Sequence, residues 1–457
     1  MIGVLSNRTY RHLFAAQVIA LFGAGLTTVA LALLAYDLAG GNAGIVLGMA
    51  LALKMVAYVS IAPVVGAFAH LLPRRRLLVA LDLARAVVVV SLPFVTEVWQ
   101  IYVLIFLVNA CSAAFTPVFQ ATIPDVVEDE AGYTRALSLS RLAYDLENLL
   151  SPTAAALALI LVSYSGLFAA NAMAFLVSAA LIISVTIPQP RQPERSGGFA
   201  ETLWFGLNIY LRTPRLRGLL ALMLAVSAAG AMVIVNTVIL VRDRFGAGET
   251  ETALAFAAVG AGSMIVALSL PRLLDRVPDR PVMLAGGILL AGGLAGGVLP
   301  ADLYGLMAVW FVLGAGSSMI QTAAGRLLRR SSHRGDRSAL YSAQFALSHL
   351  CWLITYPLAG WAGVRLGLDA TFVLLAAVGL LASAAAAVLW PRGDAEVVEH
   401  EHTAISHEHI HVHDAHHQHR HEGLEGAEPH RHVHRHGPVR HTHPYVIDLH
   451  HGAWPHR

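Results

Sequence analysis

Apolar residues gather into about twelve long segments, near 14–36, 44–69, 77–95, 99–121, 138–163, 167–188, 217–241, 252–273, 281–299, 304–325, 339–364 and 369–390. Each approaches the ~20 residues that a helix needs to cross a bilayer. None shows the period-two alternation of a membrane barrel strand. Backbone in lipid must satisfy its own hydrogen bonds, so the segments predict helices. The fold class expected is therefore an all-α membrane protein. Gly286-Gly287 and Gly292-Gly293 are small interior residues that let helices approach closely.

The polar intervals give an orientation. Those near 70–76, 122–141, 189–217, 271–280 and 326–338 hold 18 arginines, whereas the alternate intervals hold three. Arg-rich loops face the cytoplasm. An even number of spans then puts both termini there. The longest interval, 189–216, has Pro190, Pro193 and Ser196-Gly197-Gly198, followed by an imperfect amphipathic stretch from Phe199 to Leu211. It divides the chain into two six-helix halves, 1–188 and 217–390, joined by a linker with a surface-lying helix. Repeated halves are a transporter architecture with the substrate site near the midplane.

Composition agrees: hydrophobic residues make up 56% and charged residues 13%, against about 25% charged in ordinary soluble domains. The body carries an excess of about six positive charges, which sits in short loops between spans and not in one basic patch, so nucleic acid is not an expected partner. Cys111 and Cys351 each sit in an apolar span and read as small hydrophobes. Arg8 and Arg11 precede an apolar run too long for a signal peptide, which predicts a retained first helix. No Walker loop, Gly-x-Ser-x-Gly or His-Glu-x-x-His motif is present, so the chain is not expected to be an enzyme.

Ionisable groups inside spans are costly and mark function. The fifth span opens on Arg141-Leu142-Ala143-Tyr144-Asp145-Leu146-Glu147-Asn148. Arg141 and Asp145 stand i,i+4 and are expected to pair. Glu147 lies about 200° further round and points elsewhere. These groups either close an interface or handle a proton or cation. His349 and Gln344 fall in the eleventh span, the repeat partner of the fifth; both spans carry an interior proline, Pro152 and Pro357. Neutral imidazole is a metal ligand or a proton carrier, or simply bonds a neighbouring helix. Lys54, the only lysine, lies in the second span, and Asp37 is the acid expected beside it.

The tail, 391–457, holds 19 of the 23 histidines. His407, His409, His411, His413, His416, His417, His419, His421, His430, His432, His434 and His436 are the expected metal ligands. In extended chain, residues i and i+2 share a side, so His-x-His repeats present paired imidazoles, suited to Ni(II), Co(II), Zn(II) or Cu(II). The tail is polar, acidic and poor in apolar residues, and is expected to be disordered without metal. No tightly bound cofactor is implied.

The two halves resemble the major facilitator superfamily over residues 1–390. Its cytoplasmic turn after the second span, G-x-x-x-D-R-x-G-R-R, is matched by Gly66-Ala67-Phe68-Ala69-His70-Leu71-Leu72-Pro73-Arg74-Arg75, with the first glycine and final arginines kept and the acidic position lost to His70. Asp82 and Arg85 could supply a substitute ion pair, and the second half keeps Asp275-Arg276. With Arg141, these are the gating candidates: Arg74, Arg75, Asp82, Arg85, Arg141, Asp275 and Arg276. The tail and the stretch from Gln344 to Gly360 are similar to the NreB/NrsD-type nickel-resistance exporters. That resemblance implies nickel efflux, with cobalt, across a bacterial inner membrane. The expectation is export of divalent metal ions by proton antiport, with Asp145, Glu147, Asn148, His349 and Gln344 in the path. An exporter of small organic molecules and a membrane-tethered metal buffer or sensor are the alternatives.

Overall fold

The computed structural model describes residues 2–39, 43–68, 72–189, 199–394, 397–402, 405–411, 430–436, 439–444 and 446. Thirteen α-helices are described. Six precede the linker: α1 (Arg8–Ala39), α2 (Ala43–Phe68), α3 (Arg74–Ser91), α4 (Val98–Val126), α5 (Glu130–Leu159) and α6 (Tyr164–Ile183). The short α7 (Phe199–Arg212) lies in the linker. Six follow: α8 (Pro214–Ile239), α9 (Glu249–Leu274), α10 (Asp279–Gly296), α11 (Leu303–Arg330), α12 (Arg337–Arg365) and α13 (Leu368–Leu389).

Nine of these helices are long and apolar enough to cross a membrane, among the described residues. The other three long ones are α5, α10 and α12. Polar residues dilute them: Asp145, Glu147 and Asn148 inside α5, Asp279-Arg280 at the start of α10, and Gln344, Ser348 and His349 inside α12. α5 begins at Glu130 rather than near residue 138, where its apolar stretch starts, because Asp129 caps it by accepting from the Gly132 amide.

Each half repeats one packing plan. In the first, α1 packs on α5 and α6, α3 on α4 and α6, and α2 on α4. In the second, α8 packs on α12 and α13, α10 on α11 and α13, and α9 on α11. The halves meet through α2 against α12 and α5 against α9, flanked by α4–α12 and α5–α11. These contacts are symmetric under exchange of the two repeats. The second half has one continuous apolar core around Leu222, Trp310 and Phe372. The first has two, one around Phe168 and Phe175 and one around Phe119 and Tyr133.

The start of the tail is held to the second half. Arg215, buried at the start of α8, pairs with Asp394 at 3.3 Å and donates to Ser331 Oγ at 2.8 Å. Trp390 Nε1 donates to Asp394 at 2.9 Å, and Arg280 Nε donates to the Trp390 carbonyl at 3.0 Å. Further on, the described tail residues form four short strands, β1 (Val397–His402), β2 (Ile405–His411), β3 (His430–His436) and β4 (Val439–Pro444). They pair antiparallel as β1–β4 and β2–β3. In register, His407 faces His434, His409 faces His432 and His411 faces His430.

Candidate functional site

The polar residues of α5 reach both halves. Arg141 pairs with Asp145 at 2.9 Å, as their i,i+4 spacing predicts. The pair also crosses the seam. Arg141 Nε donates to Ser263 Oγ of α9 at 2.9 Å, and Nη1 donates to Gln321 Oε1 of α11 at 3.1 Å. Ser263 Oγ in turn donates to Asp145 Oδ2 at 2.6 Å. Both oxygens of the buried Asp145 are therefore engaged by Arg141 and Ser263.

Glu147 turns the other way, into its own half. A side chain at Gly25 of α1 would meet its carboxylate at 2.8 Å. Its charge partner is Lys54 of α2, not Arg141. The expected pairing of Lys54 with Asp37 is corrected: Asp37 bonds the Tyr164 hydroxyl at the far end of α1. Helices that are neighbours in sequence meet at a register that periodicity does not reveal.

Lys54 joins the acid to the imidazole. Its ammonium stands 5.6 Å from the Tyr58 ring centroid, and Tyr58 meets the His349 ring edge-on at 4.7 Å. His349 lies 4.2 Å from Phe345 by ring centroids, and its Nδ1–H donates to the Phe345 carbonyl at 2.7 Å. Only a protonated Nδ1 can donate to a carbonyl, so the neutral ring carries its lone pair on Nε2. Lys54 lies within electrostatic reach of His349 as well. One lysine thus interacts with groups from α5 and α12, on opposite sides of the seam. Among the described residues, no three His, Cys, Asp or Glu side chains gather into a metal cage.

At the Arg-rich ends, two ionic corners close the seam. In the first, Asp125 at the end of α4 is buried between two arginines: Arg74 at the start of α3, 2.5 Å away, and Arg337 at the start of α12. Arg74 also reaches Ser338 Oγ at 3.4 Å. In the second, Asp279 at the start of α10 pairs with Arg326 at 2.9 Å and Arg330 at 3.1 Å, both at the end of α11. Arg326 continues across the seam to Glu130 at the start of α5, at 2.7 Å. Between the corners, the Tyr133 and Tyr341 hydroxyls share a 2.7 Å hydrogen bond, and the one that accepts in it is free to donate to the nearby Gly325 carbonyl.

Several expected residues stand elsewhere. Gln344 is buried and accepts a 2.5 Å hydrogen bond from Tyr210 of α7, so it holds the linker helix. Burial raises the Tyr210 hydroxyl well above the usual phenol value, which keeps it a donor. Asp82 and Arg85 pair inside the first half, with Ser178 donating to Asp82 at 2.8 Å and the guanidinium between Phe115 and Phe175. That pair ties α3 to α6 and does not cross the seam. Arg75, Asp275 and Arg276 are exposed. The acid that works in the second half is Asp279, because it opens α10 beside α11, whereas Asp275 ends α9 toward solvent. The side chain of Asn148 lies outside the described residues, as do His413, His416, His417, His419 and His421.

Sequence reading passed over Asp125, Glu130, Asp279, Arg326, Arg330 and Arg337. A signal existed in the repeat. Pro73-Arg74 and Pro278-Asp279 open equivalent helices, as do Asp129-Glu130 and Asp336-Arg337.

Comparison with known proteins bears on this architecture. The profile of the Major Facilitator Superfamily matches residues 13–276 and 220–406. A Bacillus subtilis protein, the uncharacterized MFS-type transporter YfiS, is 25% identical over 337 residues, 70% of this chain and 79% of its own length. Three solved structures share the fold. The human organic anion transporter MFSD10 superposes with a TM-score of 0.73 at 13% identity, covering 83% of this chain and 99% of its own. A bacterial homologue of the iron transporter ferroportin, in an outward-facing state, gives 0.68 at 15% identity, covering 83% and 98%. The Escherichia coli fucose:proton symporter gives 0.65 at 13% identity, covering 84% and 98%.

Proposed function

This chain belongs to the Major Facilitator Superfamily, a family of membrane transporters, and from that premise we propose that it exports divalent transition-metal cations, Ni(II) foremost and Co(II) next, in exchange for protons. The observation that carries the reading is the concentration of 19 of 23 histidines in the tail, anchored at the same Arg-rich ends where the two ionic corners close the seam. Arg-rich ends face the cytoplasm of a bacterial inner membrane, which is where an exporter meets its cargo.

Within the bundle, His349 and Glu147 are the residues we assign to the cargo or to the coupling proton. Imidazole nitrogen and carboxylate oxygen together suit a borderline cation. A site with few protein donors also suits a carrier, because a cation must leave as readily as it enters. Lys54 is the internal counter-cation. It compensates Glu147 when the site is empty, and an arriving cation or proton displaces it. Arg141, Asp145, Ser263 and Gln321 form a seam contact that the rocking of the two halves would remake on each cycle.

Inverted vesicles carrying a metal-sensitive dye test the reading under an imposed proton gradient. Ni-dependent dye signal is expected with the native chain and is expected to vanish with Glu147→Gln or His349→Ala at unchanged protein abundance. Unaltered transport in both variants removes these residues from the path, and the absence of any metal signal in the native protein overturns metal export.

Lys54 also favours a second reading. A half-buried ammonium beside Tyr58, whose ring packs on Phe345, with the tilted rings of Trp352 and Tyr356 5.0 Å apart further along α12, suits an organic anion with an aromatic or apolar body. Resistance to such compounds without metal resistance would select that reading.

A further inference from the structure

The linker helix α7 has two different faces. Its inner face is dry and tightly packed. A side chain at Gly206 would come within 2.5 Å of the Ala339 carbonyl of α12, so only glycine allows the two helices to touch there. One turn on, Ile209 and Tyr210 are buried, and the Tyr210 hydroxyl bonds Gln344, also on α12. From the other side, Gly66 of α2 presses on the same stretch of α12, where a side chain would come within 2.5 Å of Ser342. Residues 339–344 of α12 are thus gripped between α2 and α7, at the seam between the two halves.

The outer face carries Trp204 and Leu211 and is uncovered among the described residues. Trp204 is 55% exposed and Leu211 47% exposed. With Asn208, also exposed, they stand at spacings of four and three and share one side of the helix. Arg212 closes the helix, and Arg217 follows one turn into α8; both are exposed. The supporting helix α2 exposes Val56 and Val64 as well, which is the surface of a lipid-facing helix. Tryptophan at the edge of an apolar surface, with arginine beside it, is the pattern of a headgroup-level anchor.

We propose that the outer face of α7 lies in the bilayer leaflet at the Arg-rich side and binds anionic phospholipid, with Trp204 and Leu211 in the headgroup–acyl boundary and Arg212 and Arg217 against the phosphates. The helix then straps the α2–α12 seam from the lipid side. Leaflet charge would hold the strap in place, because each basic side chain near an anionic surface favours the surface-bound position. This surface is independent of what the protein transports.

The test uses the full-length protein with Cys111→Ser and Cys351→Ala, reconstituted in phosphatidylcholine vesicles with rising phosphatidylglycerol. Single cysteines replace Trp204 or Leu211 and carry an environment-sensitive dye. Nitroxide-labelled lipid is expected to quench either position several-fold more than aqueous iodide does. The preference should grow with phosphatidylglycerol, and Arg212→Gln with Arg217→Gln should remove that growth. Both substituted positions are exposed, so folding is retained, and the same dye at Val64→Cys reports lipid contact as a control. Quenching by iodide alone, with the Val64 control still quenched by lipid, would overturn the proposal. So would lipid quenching that ignores phosphatidylglycerol. Shielding from both iodide and nitroxide-labelled lipid would also overturn it, since the acidic tail or another protein segment would then be the cover.

Discussion

The two ionic corners have the same three-point plan with opposite sign. Arg74 and Asp279 each follow a proline at the start of repeat-related helices, and Arg337 and Glu130 each follow an aspartate at the start of another such pair. Asp125 and the pair Arg326–Arg330 sit at the ends of α4 and α11. The inversion matters because helix ends are not neutral. A helix N-terminus carries about half a positive charge and a C-terminus about half a negative one. In the second corner, Asp279 and Glu130 stand at N-termini and the arginines at a C-terminus, so all agree with their helices. In the first, two arginines stand at N-termini and an aspartate at a C-terminus, so all oppose them. The first corner therefore rests almost wholly on the mutual attraction of three buried charges, whereas the second has helix dipoles as support. Asymmetry of this kind makes the first corner the one that fails first.

The largest effect is expected from Asp125→Ala. It leaves Arg74 and Arg337 buried and unpaired against helix N-termini, at a cost of roughly 3–5 kcal/mol, read as a fall in melting temperature in detergent. Asp279→Ala should cost less, roughly 1.5–3 kcal/mol, because Arg326 keeps Glu130 and both arginines keep a favourable helix end. Equal losses from the two substitutions would remove the dipole argument. Inverting the first corner, with Arg74→Asp, Asp125→Arg and Arg337→Glu together, is expected to leave the fold intact and to raise stability by about 1–2 kcal/mol. If α3 and α12 then separate less readily, transport should slow as the melting temperature rises. The smallest effect belongs to Arg334→Ala. Its partner Glu128 and the guanidinium are both more than half exposed, so a change within about 0.5 kcal/mol is expected, and one that shrinks with salt.

The two regions also differ in how far they could be read beforehand. The long helices and the break between halves follow from apolar runs and the composition of 189–216, since burial in lipid leaves an unmistakable length signature. The Arg141–Asp145 pair follows from helical spacing alone. The corners did not, because Asp125, Asp279 and Arg337 sit at helix termini in charged stretches that look like solvated loops. Their burial depends on how α4 meets α12 and α10 meets α11, which local pattern does not encode. Lys54 is the same case within a span: its interaction with Glu147 arises from how α2 and α5 both pack on α1. Gln344 is a further case: it lies two turns into α12, and its bond to Tyr210 of α7 leaves no trace in the sequence of the span.

The clamp on the tail, Arg215 to Asp394 with Trp390 pinned by Arg280, fixes a leash at one point. Twelve residues lie between Asp394 and His407, a reach of at most about 47 Å when fully extended. Within a half-sphere of that radius, the His407 imidazole is present at an effective concentration on the order of 10 mM. That figure is set by the leash and not by how many copies of the protein a cell contains. On the proposed reading of metal export, a cation released by one histidine would meet another, or the seam between the halves, far sooner than it would meet the bulk solution.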